Sequence, residues 1–301
     1  MDYSLLTSFC DKEQAEYYIN AKTAPLTTIN VGNRADLVIY PPNMQFFCRL
    51  LDLIVANKFK FVVIGRGSNC YFCDNYEGIV IVTRYLNDIS LNNNKITAMC
   101  GATITSVARF ALLHLLCGLE FAYGIPGSIG GAVYMNAEAY ERSFQSVIES
   151  SLVYDIKDMT VKEISNKEHC FNTKQSIFSI KKNYIHLQSV LNLSTDIYEN
   201  IYERMINNLQ KRVEKQPLDV PSAGSAFKRP NCNKPASMLI DKAGLKGVNF
   251  GGAEVSKKHA GFIVNSGNAT AADINNLLKH IKTEIYKKFK VNLYEEIIYL
   301  E

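Results

Sequence analysis

Short apolar runs and apolar helical stripes alternate along the first half of the chain. Segments 61–64 and 78–82 are continuous apolar runs rich in β-branched residues, a pattern that predicts buried strands. Between residues 45 and 57 the apolar positions recur every three or four residues, which predicts a helix with one buried face. Further strands are predicted at 96–99, 150–155, 161–164 and 184–190, and the second and third of these form a predicted hairpin.

Helical periodicity is strongest in four other segments. Residues 103–117 are amphipathic, and Gly118 is predicted to end that helix as its C-cap, because glycine adopts positive φ at little cost. The remaining helices are predicted over 194–216, 235–243 and 271–288, with a strand at 260–264 before the last one.

Length and composition indicate a globular protein of two domains. The chain has 301 residues, of which 47% are hydrophobic and 21% charged, and globular domains run to about 150 residues each. The element pattern predicts an α+β fold, with a cofactor-binding domain over 1–193 and a smaller domain over 194–301. The charged helix that begins at 194 is the predicted linker.

The charge distribution favours a small anionic ligand over a nucleic acid. The net charge is only +4, and the basic residues are spread along the chain without one long basic run. No apolar stretch reaches the roughly 18 residues that suggest a membrane span, and the first twenty residues lack the order of a signal peptide. We therefore expect a cytoplasmic protein without membrane insertion. The sequence does not predict an oligomeric state.

The cysteines and histidines do not predict a metal site. Eight cysteines are scattered, and only Cys70 and Cys73 form a C-x-x-C pair. Such a pair is compatible with redox or metal chemistry, but it has no second pair and no nearby histidine, so packing is favoured. The five histidines form no H-E-x-x-H pattern. We expect free thiols in a reducing compartment and no metal.

Two glycine-rich loops predict a phosphorylated cofactor. Residues 123–132 contain four glycines, a proline and a serine, and a backbone without side-chain cover can present N–H groups to an anion. The second loop, Gly65-Arg66-Gly67-Ser68-Asn69, lies between two predicted strands and adds a cation. Cys70 stands where the dinucleotide fingerprint needs a third glycine, which indicates a nucleotide held outside a Rossmann fold. The alternative is a pair of tight structural turns.

The order of these and other motifs resembles the UDP-N-acetylenolpyruvoylglucosamine reductases of bacterial cell-wall synthesis. The resemblance covers roughly residues 27–296. Its motifs, in chain order, are the 65–69 loop, Gly118-Leu119-Glu120, the 124–132 loop with Met135-Asn136, Gln216-Pro217, 221–228, 243–247, Val255-Ser256 with 259–265, and Leu293 followed by Glu296.

That resemblance implies a fold, a chemistry and a set of cofactors. The fold is an FAD-binding domain of the vanillyl-alcohol-oxidase (PCMH) type with a smaller C-terminal substrate domain, in the shorter form of the family. The activity is NADPH-dependent reduction of an enolpyruvyl UDP-sugar, with FAD carrying the hydride. The cofactor-binding residues implied by the two loops are Gly65, Arg66, Gly67, Ser68, Asn69, Tyr123, Gly124, Ile125, Pro126, Gly127, Ser128, Gly130, Gly131, Ala132 and Asn136.

Three residues match the family's catalytic positions. Ser225 matches the proton donor, and Glu296 matches the carboxylate beside the enolpyruvyl group, with Glu295 and Glu301 as close competitors. Lys174 stands at the family's arginine, in a segment whose register is held by Phe171, Ser176 and Phe178. Candidate ligands of the UDP or NADPH phosphates are Lys228, Arg212 and Lys246, because lysine and arginine bind phosphate.

Departures from the family pattern leave alternatives open. Lys174 keeps the positive charge but not the planar fork of arginine, and Glu138 and Glu141 stand where the family usually has glycine. A diverged flavoprotein of the same fold acting on another substrate is one alternative. A catalytically weak FAD-binding paralogue is the other. The presence of both Ser225 and Glu296 favours the reductase.

Overall fold

The computed structural model describes residues 2–301. Within them lie the α-helices α1 (Ser4–Lys12), α2 (Met44–Ala56), α3 (Ile104–Leu113), α4 (Ile129–Tyr134), α5 (Ile177–Lys181), α6 (Tyr198–Lys215), α7 (Ala236–Lys242) and α8 (Ala271–Phe289). No helix in the described part of the chain is both long and apolar enough to cross a membrane.

The strands lie between these helices throughout the chain, and most of the described strand pairs are antiparallel, which is typical of an α+β fold. They are β1 (Glu16–Lys22), β2 (Arg34–Tyr40), β3 (Phe61–Ile64), β4 (Cys70–Phe72), β5 (Asn75–Val82), β6 (Ile89–Asn92), β7 (Lys95–Met99), β8 (Leu116–Cys117), β9 (Glu138–Ala139), β10 (Arg142–Ser143), β11 (Ile148–Asp155), β12 (Thr160–Ser165), β13 (Tyr184–Asn192), β14 (Ser194–Thr195), β15 (Ser222–Ser225), β16 (Asn249–Phe250), β17 (Ala253–Val255), β18 (Phe262–Asn265) and β19 (Ile298–Leu300). The predicted α+β class is confirmed.

The first compact unit comprises residues 2–19, 37–66 and 78–211. Its five-stranded sheet has the order β12-β11-β13-β7-β6, and the predicted hairpin is the antiparallel pair β11–β12. Strands β3 and β5 pair in parallel, so the two apolar runs that flank the 65–69 loop are neighbours. One hydrophobic core lies around α3 and α4, and another surrounds α2.

The second compact unit comprises residues 20–36, 67–77 and 212–301. Its antiparallel sheet has the order β15-β18-β17-β16, and a separate parallel pair joins β19 to β4. One apolar face of α8 is buried in the core of this unit. A capping box starts α8: the amide of Thr270 donates to Asp273, and the amide of Asp273 donates to the Thr270 hydroxyl.

Helix α3 is shorter than its amphipathic pattern predicts. It ends at Leu113, and Leu115 adopts a left-handed conformation with φ of 56°. The chain then forms β8, which pairs with β14. Gly118 is therefore not the C-cap; its φ of 127° belongs to a turn whose amide donates to Glu120. Strand β8 pairs with a segment 77 residues further along the chain, and no local pattern reveals that partner. The amphipathic pattern on its own therefore predicts a helix that is too long.

The division into units also differs from the predicted boundary at 193/194. Helix α6 belongs to the first unit up to residue 211, because Ile201 and Met205 pack in the core around α3 and α4. Arg204 donates to the buried carboxylate of Glu120, with Nη2–Oε1 at 2.7 Å. Two early segments, 20–36 and 67–77, belong to the second unit.

Candidate active site

Ser225 lies at the end of strand β15, directly after a glycine with φ of 75°. Strand β15 pairs with β18, and the register shifts between Ser222 and Ser225, which marks a local irregularity in the ladder. The amide of Ala226 donates to the carbonyl of Gly261 at 2.8 Å. These contacts fix the backbone on both sides of the Ser225 hydroxyl.

Glu296 is held beside this strand by backbone hydrogen bonds. Its amide donates to the carbonyl of Ala226 at 2.9 Å, and the amide of Lys228 donates to the carbonyl of Tyr294 at 2.9 Å. Phe227 and Glu295 form an antiparallel bridge between these two bonds. The pairing places the backbone of Glu296 opposite the residue that follows Ser225.

The competing carboxylate of Glu295 is engaged elsewhere. Its Oε1 lies 2.7 Å from Nζ of Lys282 on α8. Successive residues of an extended segment point to opposite faces, so Glu296 and Glu295 point away from each other. Glu301 is exposed. Glu296 is therefore the carboxylate residue whose backbone pairs with Ala226, the residue that follows Ser225.

The end of the 65–69 loop reaches the same place. The side-chain amide of Asn69 donates to the carbonyl of Glu296 at 3.1 Å, and the amide of Ile298 donates to the carbonyl of Asn69 at 2.9 Å. A Cβ added to Gly224 would lie 3.8 Å from the carbonyl oxygen of Ser68. Residues from three parts of the sequence thus converge within the second unit: 68–69, 224–226 and 296.

The three candidate phosphate ligands differ in their burial and in the groups that they contact. Arg212 is buried, and its Nη1 donates to Oε1 of Gln216 at 3.0 Å. Lys228 and Lys246 are exposed, and Nζ of Lys246 lies 3.1 Å from a carboxylate oxygen of Asp241. Of the three, Lys228 is tied most directly to the site, through its backbone bond beside Glu296.

In the first unit, the two glycine-rich loops meet. A Cβ added to Gly65 would lie only 1.9 Å from Oγ of Ser128, so only glycine permits this approach. Ser128 caps α4 by accepting from the amide of Gly131 at 3.3 Å. The predicted 123–132 loop is therefore half loop and half helix, turning at Gly124 with φ of 82°.

Several amides of the 123–132 loop are already bonded within the protein. Gly127 donates to Ile125, Ile129 to Ala102 and Gly130 to Cys100, each at 2.9 Å. The prediction of freely presented N–H groups is wrong for these three amides. The signal missed in the sequence is the contact with 100–102, which no local pattern reveals.

Exposed groups of these loops still fit a phosphorylated cofactor. Arg66 is exposed and supplies a cation. Gly131 is exposed, and a Cβ there would meet only Oγ of Ser128, at 3.5 Å. The backbone at the start of α4 is therefore open on one side, as close approach by a phosphate requires.

Most of the other predicted cofactor residues are half-buried, and four are buried: Gly67, Ser128, Ala132 and Asn136. Ala132 lies in the core, while Tyr123 and Ile125 pack against it. Asn136 is buried with φ of 46°; its side-chain amide donates to the carbonyl of Asn172, and its oxygen accepts from the amide of Gln145. Its structural role is to join the segment after α4 to the segment that carries Lys174.

Lys174 lies in a tight turn of the first unit. Asn172 and Gln175 exchange two backbone hydrogen bonds around it, and Lys174 has φ of 53°. Its side chain is only 16% exposed, and Nζ lies 3.9 Å from Oε1 of Glu138. Two of the three departures from the family pattern are thus in contact, whereas Glu141 is exposed.

The thiols show no sign of activation. Burial raises the pKa of the Cys70 thiol to about 12 and the pKa of the Cys100 thiol to about 12. The eight cysteines form no disulfide. Within residues 2–301, no cluster of histidine, cysteine and carboxylate side chains could hold a metal ion.

Comparisons with known proteins place this fold among flavin-dependent oxidoreductases. Residues 35–163 match the family model described as an FAD binding domain. Residues 216–300 match the model for the C-terminal domain of UDP-N-acetylenolpyruvoylglucosamine reductase. The predicted FAD-binding domain of the PCMH type, with a smaller C-terminal domain, is confirmed.

The chain belongs to the UDP-N-acetylenolpyruvoylglucosamine reductase family. It is 38% identical to the reductase of Caldanaerobacter subterraneus subsp. tengcongensis, covering 95% of this chain and 94% of the relative. It is 40% identical to that of Clostridium beijerinckii, covering 95% and 93%. The crystal structure of the enzyme from Thermus caldophilus aligns with a TM-score of 0.80 at 26% identity, covering 95% of this chain and 99% of that one.

Proposed function

We propose that this protein reduces the enolpyruvyl group of UDP-N-acetylglucosamine enolpyruvate to give UDP-N-acetylmuramate, a step of peptidoglycan synthesis. FAD is its bound cofactor and NADPH its reductant. The observation that carries the proposal is the backbone pairing of 226–228 with 294–296, which holds the backbone of Glu296 opposite Ala226, the residue after Ser225. This pairing occurs in a chain 38% to 40% identical to named reductases over 95% of its length.

FAD, when bound, supplies the hydride transfer that no side chain can perform. We assign its binding to the two loops that meet at Gly65 and Ser128, with exposed Arg66 and Gly131 facing its phosphates. Reduction of the β-carbon leaves negative charge on the α-carbon and the carboxylate of the substrate. The remaining tasks are to stabilise that charge and to deliver a proton.

Ser225 is assigned the proton delivery. A hydroxyl is a weak acid in water, but it can protonate a strong carbanion held within hydrogen-bond reach. The fixed backbone on both sides of Ser225 supports this role, because proton transfer needs a constrained geometry. Glu296, whose backbone pairs with the residue after Ser225, is assigned the partner role in proton transfer or enolate stabilisation.

Lys174 is assigned the stabilisation of negative charge on the substrate carboxylate. Preorganised charge aimed at a developing anion is commonly the largest catalytic contribution. Its side chain is mostly buried, so its ammonium is poorly screened by water. Lys228, Arg212 and Lys246 are assigned to the phosphates of the UDP-sugar or of NADPH.

The proposed partners and location follow from this activity. The partners are a small-molecule UDP-sugar and a nicotinamide cofactor, with no nucleic acid. We place the protein in the cytoplasm, where both of these molecules are available.

The test is NADPH oxidation by the purified flavoprotein, with and without the enolpyruvyl UDP-sugar. Strong stimulation by the UDP-sugar is the expected result, together with its conversion to the muramate product. Bound flavin without stimulation would contradict the proposal and favour a diverged flavoprotein or an FAD-binding paralogue.

A further inference from the structure

The turn that carries Lys174 fixes where its ammonium can reach. Two reciprocal backbone hydrogen bonds between Asn172 and Gln175, at 3.0 and 3.1 Å, close the turn. Lys174 itself is left-handed, a conformation that costs a non-glycine residue energy and persists only where its surroundings impose it. The backbone is therefore well determined, and the remaining freedom lies in the four-carbon side chain.

Glu138 lies on an equally constrained hairpin. Strands β9 and β10 pair with Glu138 opposite Ser143. The hairpin turn is formed by Tyr140 and Glu141, which have φ of 51° and 63°. The hydroxyl of Tyr140 donates to the carbonyl of Asn208 on α6 at 2.6 Å. The hairpin is thus anchored at its tip to a long helix.

These two segments are joined by hydrogen bonds close to the pair. The side chain of Asn136 donates to the carbonyl of Asn172 at 3.1 Å. The hydroxyl of Ser176 donates to the carbonyl of Tyr134 at 2.6 Å. Each bond lies within four residues of Glu138 and two of Lys174 along the chain. The 3.9 Å between Nζ of Lys174 and Oε1 of Glu138 is therefore set by ordered backbone on both sides.

The chemistry of the pair suggests what Glu138 does. Lysine is a point charge on a flexible stem, whereas the fork of arginine orients itself on a carboxylate through two bonds. A separation of 3.9 Å is longer than a hydrogen bond, so Glu138 attracts the ammonium electrostatically but forms no direct hydrogen bond with it. Glu138 therefore attracts the ammonium toward one position, and an ammonium has three donor hydrogens with which to bind anions.

We propose that Glu138 is a positioning residue for Lys174, whose carboxylate holds the lysine ammonium where it meets the carboxylate of the substrate. This inference rests on the proposed function, since it assigns Glu138 a part in the same reaction. Glu138 substitutes for the orientation that an arginine would supply by its own geometry. The two departures at 138 and 174 then form one functional pair.

The test is a double-mutant cycle measured on the two half-reactions separately. In Glu138→Gln, we expect kcat/KM for the UDP-sugar to fall about tenfold, because a loosely held lysine is misplaced for part of the time. Reduction of the flavin by NADPH should remain within about twofold of the parent, since neither residue is assigned to that step. Lys174→Arg is the second arm, and it should retain activity.

The decisive measurement is the Glu138→Gln, Lys174→Arg double variant. If Glu138 acts by orienting lysine, its loss should cost less than about threefold when arginine is present. Glu141→Gln is the matched control, because Glu141 lies on the same hairpin and is exposed. It should leave both half-reactions unchanged.

The possible failures are distinguishable. Equal losses from Glu138→Gln in the lysine and arginine backgrounds, or no loss in either, would overturn the role of Glu138 alone. A parallel loss in flavin reduction by NADPH would also overturn it, because that indicates a general structural effect. A parent protein that does not respond to the UDP-sugar would overturn the proposed function and this role with it.

Discussion

The orientation of neighbouring side chains decides which groups the site can use. Glu295 and Glu296 are adjacent carboxylates, yet Glu295 is paired with Lys282, whereas the backbone of Glu296 is tied to Ala226 and Asn69. Adjacent residues of an extended chain face opposite sides. A shift of this segment by one residue would therefore put Glu295, which is paired with Lys282 on α8, in the place of Glu296.

Replacement of Ser225 by alanine should separate the two half-reactions. The variant lacks the hydroxyl proton and keeps the backbone bonds of Ala226 and Glu296. We expect flavin reduction by NADPH to be unchanged and flavin reoxidation by the UDP-sugar to slow by about 10²-fold or more, the usual range for loss of a general acid. Stopped-flow absorbance of the flavin measures both. Equal loss in both half-reactions would contradict the assignment of Ser225.

The sequence singles out Ser225 and Glu296 as candidates but does not reveal their surroundings. Ser225 and Glu296 were identified from their places in ordered motifs, and the structure brings their segments together. The contact between Lys174 and Glu138 could not be predicted, because their segments are aligned by the bond between Asn136 and Asn172. These two residues are 36 positions apart in the sequence. The closure of amides in the 123–132 loop was missed for the same reason.

Among the elements, helix α6 shows how contacts with distant residues place a helix in one unit rather than the other. Its sequence predicts a long charged helix, and the helix is present at Tyr198–Lys215. Its Ile201 and Met205 pack in the core of the first unit, and its Arg204 donates to Glu120, a buried carboxylate that also accepts from the amide of Gly118. Periodicity reveals a helix and its apolar face, but not the partner of that face.

Replacement of Arg204 by methionine should destabilise the first unit. It leaves the carboxylate of Glu120, which is 5% exposed, without its cationic partner. We expect the free energy of unfolding to fall by about 2 kcal/mol, within the range for loss of a charged hydrogen bond to a buried group. Urea denaturation measures this change.

The matched control is Lys287→Met on α8. Its ion pair with Glu284 has similar length, 2.8 Å, but its side chain is 67% exposed. Surface pairs contribute little, so we expect no measurable change in the free energy of unfolding. Similar small losses in both variants would show that Glu120 does not depend on Arg204.

For the molecule as a whole, the feature most sensitive to pH is a buried chain of hydrogen-bonded polar groups in the first unit. His169 bonds to the carbonyl of Ser165 and to Ser151; Ser151 bonds to Ser189; and Ser189 bonds to Nε2 of His186. The Ser165 carbonyl requires a proton on Nδ1 of neutral His169, which orients every hydroxyl in the chain. Burial lowers the pKa of His186 to about 3.

This depressed pKa predicts a loss of stability on acidification. Below the ordinary histidine pKa of 6.5, the unfolded chain binds a proton that folded His186 does not. Unfolding is therefore favoured as the pH falls from about 6.5 toward 3, and the stabilisation is complete above that window. Between pH 7 and pH 5 we expect His186 to account for about 2 kcal/mol of lost stability.

The measurement is urea denaturation at pH 7 and pH 5 for the parent, His186→Gln and His114→Gln. Glutamine does not titrate, so the first variant should show a smaller loss between the two pH values. His114 is exposed and serves as the control. An unchanged pH dependence in His186→Gln would contradict the prediction.

The division of the chain into two compact units was less predictable than its helices and strands. Strands and helices follow from local periodicity, and most appear where the pattern places them. The assignment of 20–36 and 67–77 to the second unit follows from pairing between distant segments, such as β4 with β19. A linear boundary at 193/194 could not represent a chain that passes between units five times.

The bond between Asn69 and Glu296 spans 227 residues of sequence, which has a consequence for biosynthesis. As the nascent chain leaves the ribosome, strand β4 emerges long before β19 exists. Its apolar residues, buried in the finished protein, remain without their partner while most of the chain is made. Contacts of such long range also slow refolding from denaturant. During that interval the strand edge is open to wrong partners, and chaperones that cover apolar segments have an early target there.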